Sequence, residues 1–237
     1  MIVLRSALFN LVFFSVGVVM TLVASLMRLV GPDRVLGVAM LWARVLRVAL
    51  RGICGIRLEV RGMENIPQGA ALIASRHQSA FDTFVWLILL PRCCYVFKDE
   101  LLRIPLFGPL LQAAGMIAVD RGAGGAAIRG LLRAADRAVR EGRQIVIFPE
   151  GTRSEPGKPG RLQPGIAALA SHTGLPVIPV STNSGQFWGR RAFHKRAGTI
   201  RIVIGAPISP QTERKALMRA LEGAMGVVDG APVDAAG

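Results

Sequence analysis

The stretch SALFNLVFFSVGVVMTLVASLM, from Ser6 to Met27, carries no charged side chain. As a helix rising about 1.5 Å per residue it is long enough to cross a hydrocarbon core roughly 30 Å thick. A cleaved signal peptide would have a shorter apolar stretch and close on a small-residue cleavage site. Neither feature is found, so the segment is expected to persist as a membrane anchor. Charge is unequal on its two sides: Arg5 precedes it, whereas Arg28, Arg34, Arg44, Arg47 and Arg51 follow it. Positive residues stay on the cytoplasmic side. The rest of the chain is therefore expected on the cytoplasmic face of the cell inner membrane.

The next segment, PDRVLGVAMLWARVLRVALRG, places Arg44, Arg47 and Arg51 three and four positions apart, on one helical face. That spacing predicts an interfacial helix with its basic face on lipid headgroups. The alternative is an amphipathic helix packed on the folded body. Residues 1–54 thus form the expected anchor region, 55–227 the folded body, and 228–237 a flexible tail.

Composition narrows the partners. The chain has 237 residues, enough for one or two domains, and 29 Lys+Arg against 15 Asp+Glu leave a net charge of +14. Such an excess points to anionic partners. Aromatic residues make up only 6%, with one tyrosine, so stacking platforms for nucleic acid are scarce and no nucleic-acid partner is expected. A bilayer surface or a phosphorylated substrate fits better. Cys54, Cys93 and Cys94 form no pattern with zinc spacing, so no metal site is expected, and they read as reduced, buried thiols.

From about residue 56 short β-type runs alternate with helical stretches. IRLEV (56–60) reads as an edge strand; AALIA, CCYVF, GMIAV, QIVIF, PVIPV and IRIVI read as buried strands. FDTFVWLILL, GGAAIRGLLRAADRAVREG and PGIAALASHTG read as helices, the last two stopped by Gly142 and Gly174. This alternation predicts an α/β sandwich with a largely parallel sheet.

The strand exits concentrate the chemistry. ALIAS leads to Arg76-His77, CCYVF to Lys98-Asp99-Glu100, GMIAV to Asp120-Arg121, and QIVIF to Pro149-Glu150-Gly151-Thr152-Arg153. In parallel strands all four clusters fall on the carboxyl edge, where open α/β sheets bind ligands. His77 and Asp82 would lie about 140° apart on a regular helix. They meet only if His77 occupies a turn and Ser79 caps the helix, with Asp82 reaching back. His77 is then a candidate general base oriented by Asp82; otherwise it is a turn residue and Asp82 a plain cap. There is no G-x-S-x-G elbow, HExxH or phosphate loop. A substrate hydroxyl attacking an activated acyl group needs no enzyme nucleophile, metal or cofactor.

On these residues the chain resembles the glycerolipid acyltransferases, specifically the 1-acyl-sn-glycerol-3-phosphate acyltransferases. HQSAFD matches their H-x4-D block, and KDELLRIPLFGPLLQAAGMIAVDR (98–121) their second. FPEGTRS (148–154) matches the third and VIPV (177–180) the fourth. Arg76 departs from the pattern, since such enzymes often have Asn before the histidine. The resemblance implies an acyltransferase-like fold with a largely parallel or mixed sheet behind N-terminal membrane helices. It implies acyl transfer from acyl-CoA or acyl-carrier protein to the sn-2 hydroxyl of a lysophospholipid, giving phosphatidic acid. His77 and Asp82 would be catalytic, Glu150 and Gly151 would hold the glycerol backbone, Lys98, Arg121 and Arg153 would grip the phosphate, and Thr152 would also bind substrate. Another lysolipid, such as a phosphate-free lyso-ornithine lipid, is the nearest alternative acceptor. A non-catalytic basic binder and a lipid hydrolase are the alternatives of other classes.

Overall fold

The computed structural model describes residues 1–120, 122, 124–158 and 160–226. The tail expected at 228–237 lies outside them. Two long helices come first, α1 (Ile2–Val30) and α2 (Asp33–Ala49), the second running on through a wider turn to Cys54. The body then alternates: β1 (Ile56–Arg61), β2 (Ala71–Ser75), α3 (Asp82–Leu89), β3 (Cys93–Lys98), α4 (Phe107–Ala113), β4 (Ile117–Val119), α5 (Gly125–Arg140), β5 (Gln144–Ile147), α6 (Gly165–Thr173), β6 (Val177–Thr182), α7 (Ser184–Phe187), β7 (Gly198–Ile204) and α8 (Arg214–Gly226). Gly142 and Gly174 stop α5 and α6 in left-handed conformations (φ 65° and 66°), which a glycine adopts without a Cβ clash.

The strands form one seven-stranded sheet in the order β1-β7-β6-β2-β5-β3-β4. Every neighbouring pair is parallel except β6 with β7. The sheet is therefore mixed, with a parallel core of β6, β2, β5, β3 and β4. β1 is an edge strand as its sequence indicates. β4, read from the sequence as buried, is the opposite edge: it is three residues long, and Ala118 and Val119 are only half-buried.

Side-chain alternation with period two explains the sandwich. Ile73, Cys93, Val146, Ile178 and Ile202 face one way and pack with α1, α2 and α3 around Phe84 and Trp86. Leu72, Cys94, Ile145 and Val177 face the other way and pack with α5, α6 and α8. The adjacent cysteines thus belong to opposite layers. Phe84 is fully buried, and its truncation to Ala would cost about 3–5 kcal/mol.

α2 packs on α1 and α3 through Val35, Ala43 and Leu46, while Arg44, Arg47 and Arg51 stay exposed. The helix is thus docked on the body with its basic residues outward. α1 is, among the described residues, the one helix long and apolar enough to cross a bilayer. Yet it is docked too. Ser6 Oγ accepts a hydrogen bond from the Lys195 amide at 2.9 Å, and Phe9 meets Trp188 edge-on at 5.4 Å. Ala24 packs with Leu110 and Ala114 of the α4 region.

Candidate active site

Because β2, β5, β3 and β4 are parallel neighbours, their carboxyl ends open on one edge. His77 follows β2 there. Its Nδ1 is 3.4 Å from Asp82 Oδ2, longer than an ordinary hydrogen bond. The same oxygen accepts the backbone N–H groups of Gln78 at 2.7 Å and Ser79 at 2.8 Å. Ser79 Oγ in turn accepts the Phe81 N–H at 3.1 Å. Asp82 thus reaches back from the first turn of α3, tying the His77 turn to the helix with a carboxylate that is 2% exposed. The imidazole is also stacked on Phe148, centroids 4.2 Å apart and planes 21° apart. Two restraints therefore set the ring, one at its edge and one on its face.

Glu150 supplies a third, on the backbone. Its Oε2 accepts the His77 N–H at 3.0 Å, and its Oε1 accepts the Gly160 N–H at 3.0 Å. Arg76 Nη1 donates to the same Oε1 at 2.9 Å, and the Glu150 side chain is 0% exposed. Arg76 Nε reaches the Met225 carbonyl at the end of α8. On the other side of the residue, the His77 carbonyl accepts the Ser154 N–H at 2.8 Å. Both backbone polar groups of His77 are therefore held by the segment following β5. This buried ion pair gives Arg76, the departure from the family pattern, a defined place.

His77, 13% exposed at its side chain, lies on the wall of a cavity of about 910 Å³. With Nδ1 turned toward Asp82, Nε2 is the ring nitrogen left for the cavity. Phe13, Gly17, Trp42, Phe97, Phe107 and Leu110 furnish much of the apolar wall. IPLFGPLL thus contributes to this cavity rather than to the sheet's core. The close approach there requires Gly108, where a Cβ would sit 2.1 Å from the Leu102 carbonyl oxygen.

The wall of the same cavity also carries Lys98, Gly151, Thr152, Arg153, Arg190 and Arg191. Gly151 turns the chain with φ 72°, sending Thr152 and Arg153 along the cavity side. Lys98 is 51% exposed and 3.6 Å from Glu100. Arg153 is half-buried and its Nε is without a hydrogen-bond partner. Burial pulls its guanidinium below the usual arginine range; Asp82 opposes the shift and Arg190 adds to it. Glu150 and Asp82 lie behind this wall and not on it. Arg121 lies outside the described residues.

A family model described as Acyltransferase matches residues 57–183. The chain is 40% identical over 172 residues to the 1-acyl-sn-glycerol-3-phosphate acyltransferase of Pseudomonas aeruginosa, covering 73% of this chain and 67% of that one. This chain belongs to the acyltransferase family. The enzyme is also 29% identical over 168 residues to the human 1-acyl-sn-glycerol-3-phosphate acyltransferase alpha. That match covers 70% of this chain and 59% of the human protein. With the coconut 1-acyl-sn-glycerol-3-phosphate acyltransferase the identity is 30%, covering 71% of this chain and 55% of that one. The fold agrees with the solved structure of the 1-acyl-sn-glycerophosphate acyltransferase of Thermotoga maritima. There the TM-score is 0.74 at 24% identity, with 95% of each chain covered.

Arg190 and Arg191 lie beyond the matched block, in the β6–β7 connection. The sequence FWGRRAFHKR (187–196) is a basic-aromatic stretch that suits either a solvated loop or a contact with anionic headgroups, and nothing local connects it to β5. His172, at the end of α6, is paired with Asp136 at 2.7 Å on the opposite layer of the sandwich.

Proposed function

We propose that the enzyme acylates the sn-2 hydroxyl of 1-acyl-glycerol-3-phosphate to give phosphatidic acid, taking the acyl group from acyl-CoA or acyl-carrier protein. One observation carries this reading: a restrained imidazole, apolar side chains and several cations line one cavity. An acceptor with an acyl chain, a free hydroxyl and a phosphate finds a partner for each part on that wall.

His77 Nε2 takes the hydroxyl proton as the oxygen attacks the thioester carbonyl. The C–O bond forms, the C–S bond breaks, and the imidazolium returns its proton to the departing thiolate. Asp82, beside Nδ1, favours the tautomer that leaves Nε2 unprotonated and stabilises the imidazolium as it forms. Arg153, Lys98 and Arg121 neutralise and orient the phosphate, fixing the hydroxyl near the base. Gly151 and Thr152 face the glycerol part. Glu150 acts from behind as a positioning residue through the His77 peptide.

The cavity wall includes α1, which exposes Leu4, Leu8 and Leu11 away from the cavity and Phe14, Val18 and Leu22 along it. The helix is pinned to one domain at Phe9 and again at Ala24, sites about 22 Å apart along its axis. A full crossing would draw the Lys195 ammonium, bonded to Asn10, into lipid. We therefore place α1 within one leaflet of the inner membrane, with the body on the cytoplasmic side. Acyl chains then reach the cavity without leaving apolar surroundings.

The test is a panel of lysolipids offered to the purified protein with each donor, products identified by mass spectrometry. Phosphatidic acid from 1-acyl-glycerol-3-phosphate is the expected outcome. Acylation confined to a phosphate-free acceptor such as lyso-ornithine lipid, or fatty acid release without any acceptor, overturns the reading.

A further inference from the structure

We propose that Arg190, aided by Arg191, completes with Arg153 a clamp for the phosphate monoester of the acceptor, and so sets the preference for phosphorylated over uncharged lysolipids. The inference rests on the acceptor named above.

Two distant segments supply the three guanidiniums. Arg153 follows β5, whereas Arg190 and Arg191 come from the β6–β7 connection; all three line the cavity that holds His77. Among the described residues neither Arg190 nor Arg191 takes part in an ion pair. Arg153 keeps a buried Nε unbonded, and among the described residues the carboxylate that supports its charge is Asp82, which already bonds the His77 turn. Arg190 stands near enough to disfavour the charge on Arg153. Arg190 and Arg191 are exposed to water in the empty state, and an incoming dianion gives all three guanidiniums a shared counter-charge. Guanidinium suits this task because its planar fork meets two phosphate oxygens at once.

The backbone points the same way. Arg191 adopts φ 55°, a left-handed conformation that disfavours any residue with a Cβ. Strain of this kind persists where the surroundings enforce it, commonly at ligand sites. Here it coincides with two successive arginines on one cavity wall. Beside them the Lys195 ammonium is buried among Phe9, Trp188 and Phe193, bonded to Asn10 and to the Phe193 carbonyl. That anchor ties the connection to α1, whose Phe13, Phe14 and Gly17 line the same cavity.

The test uses the full chain in detergent and the variants Arg190→Ala, Arg190→Lys and Arg191→Ala. Arg133→Ala, on the exposed side of α5, controls for lost charge. Loss of one charge-assisted bond should raise KM for 1-acyl-glycerol-3-phosphate about tenfold to a hundredfold in Arg190→Ala. The effect should be smaller in Arg190→Lys and Arg191→Ala. KM for the donor should stay within about twofold, and selectivity over the matching 1-acylglycerol should fall about tenfold. An unchanged acceptor KM, or an equal rise in donor KM, overturns the clamp. So does a loss seen only on anionic vesicles, which would make the arginines a membrane contact.

A second arm stands apart from turnover: calorimetric titration with glycerol 3-phosphate at low salt. Weaker binding in Arg190→Ala by about tenfold supports the clamp even if the wild type acylates some other acceptor. Equal binding, or none in the wild type, overturns it.

Discussion

The two sides of the imidazole are built on opposite terms. Behind it the carboxylates of Asp82 and Glu150 are closed to solvent and engaged with backbone N–H groups, Arg76 and the ring itself. In front of it Arg153, Arg190 and Arg191 face a cavity, without a carboxylate bonded to any of them among the described residues. A satisfied buried group contributes shape, because moving it exposes a charge to a medium that cannot solvate it. An unsatisfied cation contributes affinity, because its bonds form only when a ligand arrives. Family blocks that look alike in sequence therefore divide into a frame and a grip.

The comparison is broken most directly at its centre. His77→Ala should lower kcat by about 10³-fold, in line with loss of a general base, while thermal unfolding stays near the wild type. Assay at saturating donor and acceptor decides it; a loss under tenfold would remove the imidazole from the chemistry.

The frame responds next. Glu150→Gln leaves Arg76 buried without a counter-charge and should destabilise the fold by about 3 kcal/mol, read by urea unfolding. Adding Arg76→Met should recover part of that loss, since the glutamine carbonyl can still accept the His77 N–H. A single variant as stable as the wild type would mean that the pair holds nothing.

The grip is expected to behave in reverse. Arg153→Ala should raise the acceptor KM by about tenfold to a hundredfold. It should change stability by less than about 0.5 kcal/mol, because burial already works against its charge. Equal losses in stability and KM would erase the distinction between frame and grip.

The smallest effect lies in the sheet below both. Burial pushes the Cys94 thiol up to about 11, with Arg143 opposing the shift. A folded value above the unfolded one means the contribution is complete below the unfolded pKa and fades as pH rises through the folded value. Stability should therefore fall by up to about 2 kcal/mol between pH 9 and 11, and Cys94→Ala should flatten that slope. Urea midpoints across this range test it; a parallel slope in the variant would assign the fall to other groups.

Much of this frame is legible in the chain. The apolar runs AALIA, CCYVF and QIVIF read as strands because each is short, β-rich and bounded by turn residues, and the strands lie at 71–75, 93–98 and 144–147. Parallel strands then oblige His77, Lys98 and the segment 149–153 to share an edge. The turn at Ser79 and Asp82 is local, so its reach-back to His77 follows from spacing. Glu150 is different. Its neighbours in sequence are cavity residues, and only packing against Arg76 and Gly160 turns its carboxylate inward. β4 reads as buried from composition, yet among the described residues no strand pairs with its outer side.

What the linear order decides, then, is set by short-range physics: strand and helix periodicity, turn chemistry, and the gathering of polar residues at parallel strand ends. The folded arrangement alone decides contacts between segments far apart in the chain. It inserts β7 between β1 and β6, parallel to the first and antiparallel to the second, lays α1 along the cavity, and brings Arg190 beside Arg153. Periodicity shows which face of an element is apolar. It says nothing of which distant face will cover it, because that pairing depends on the shape and burial of the whole core.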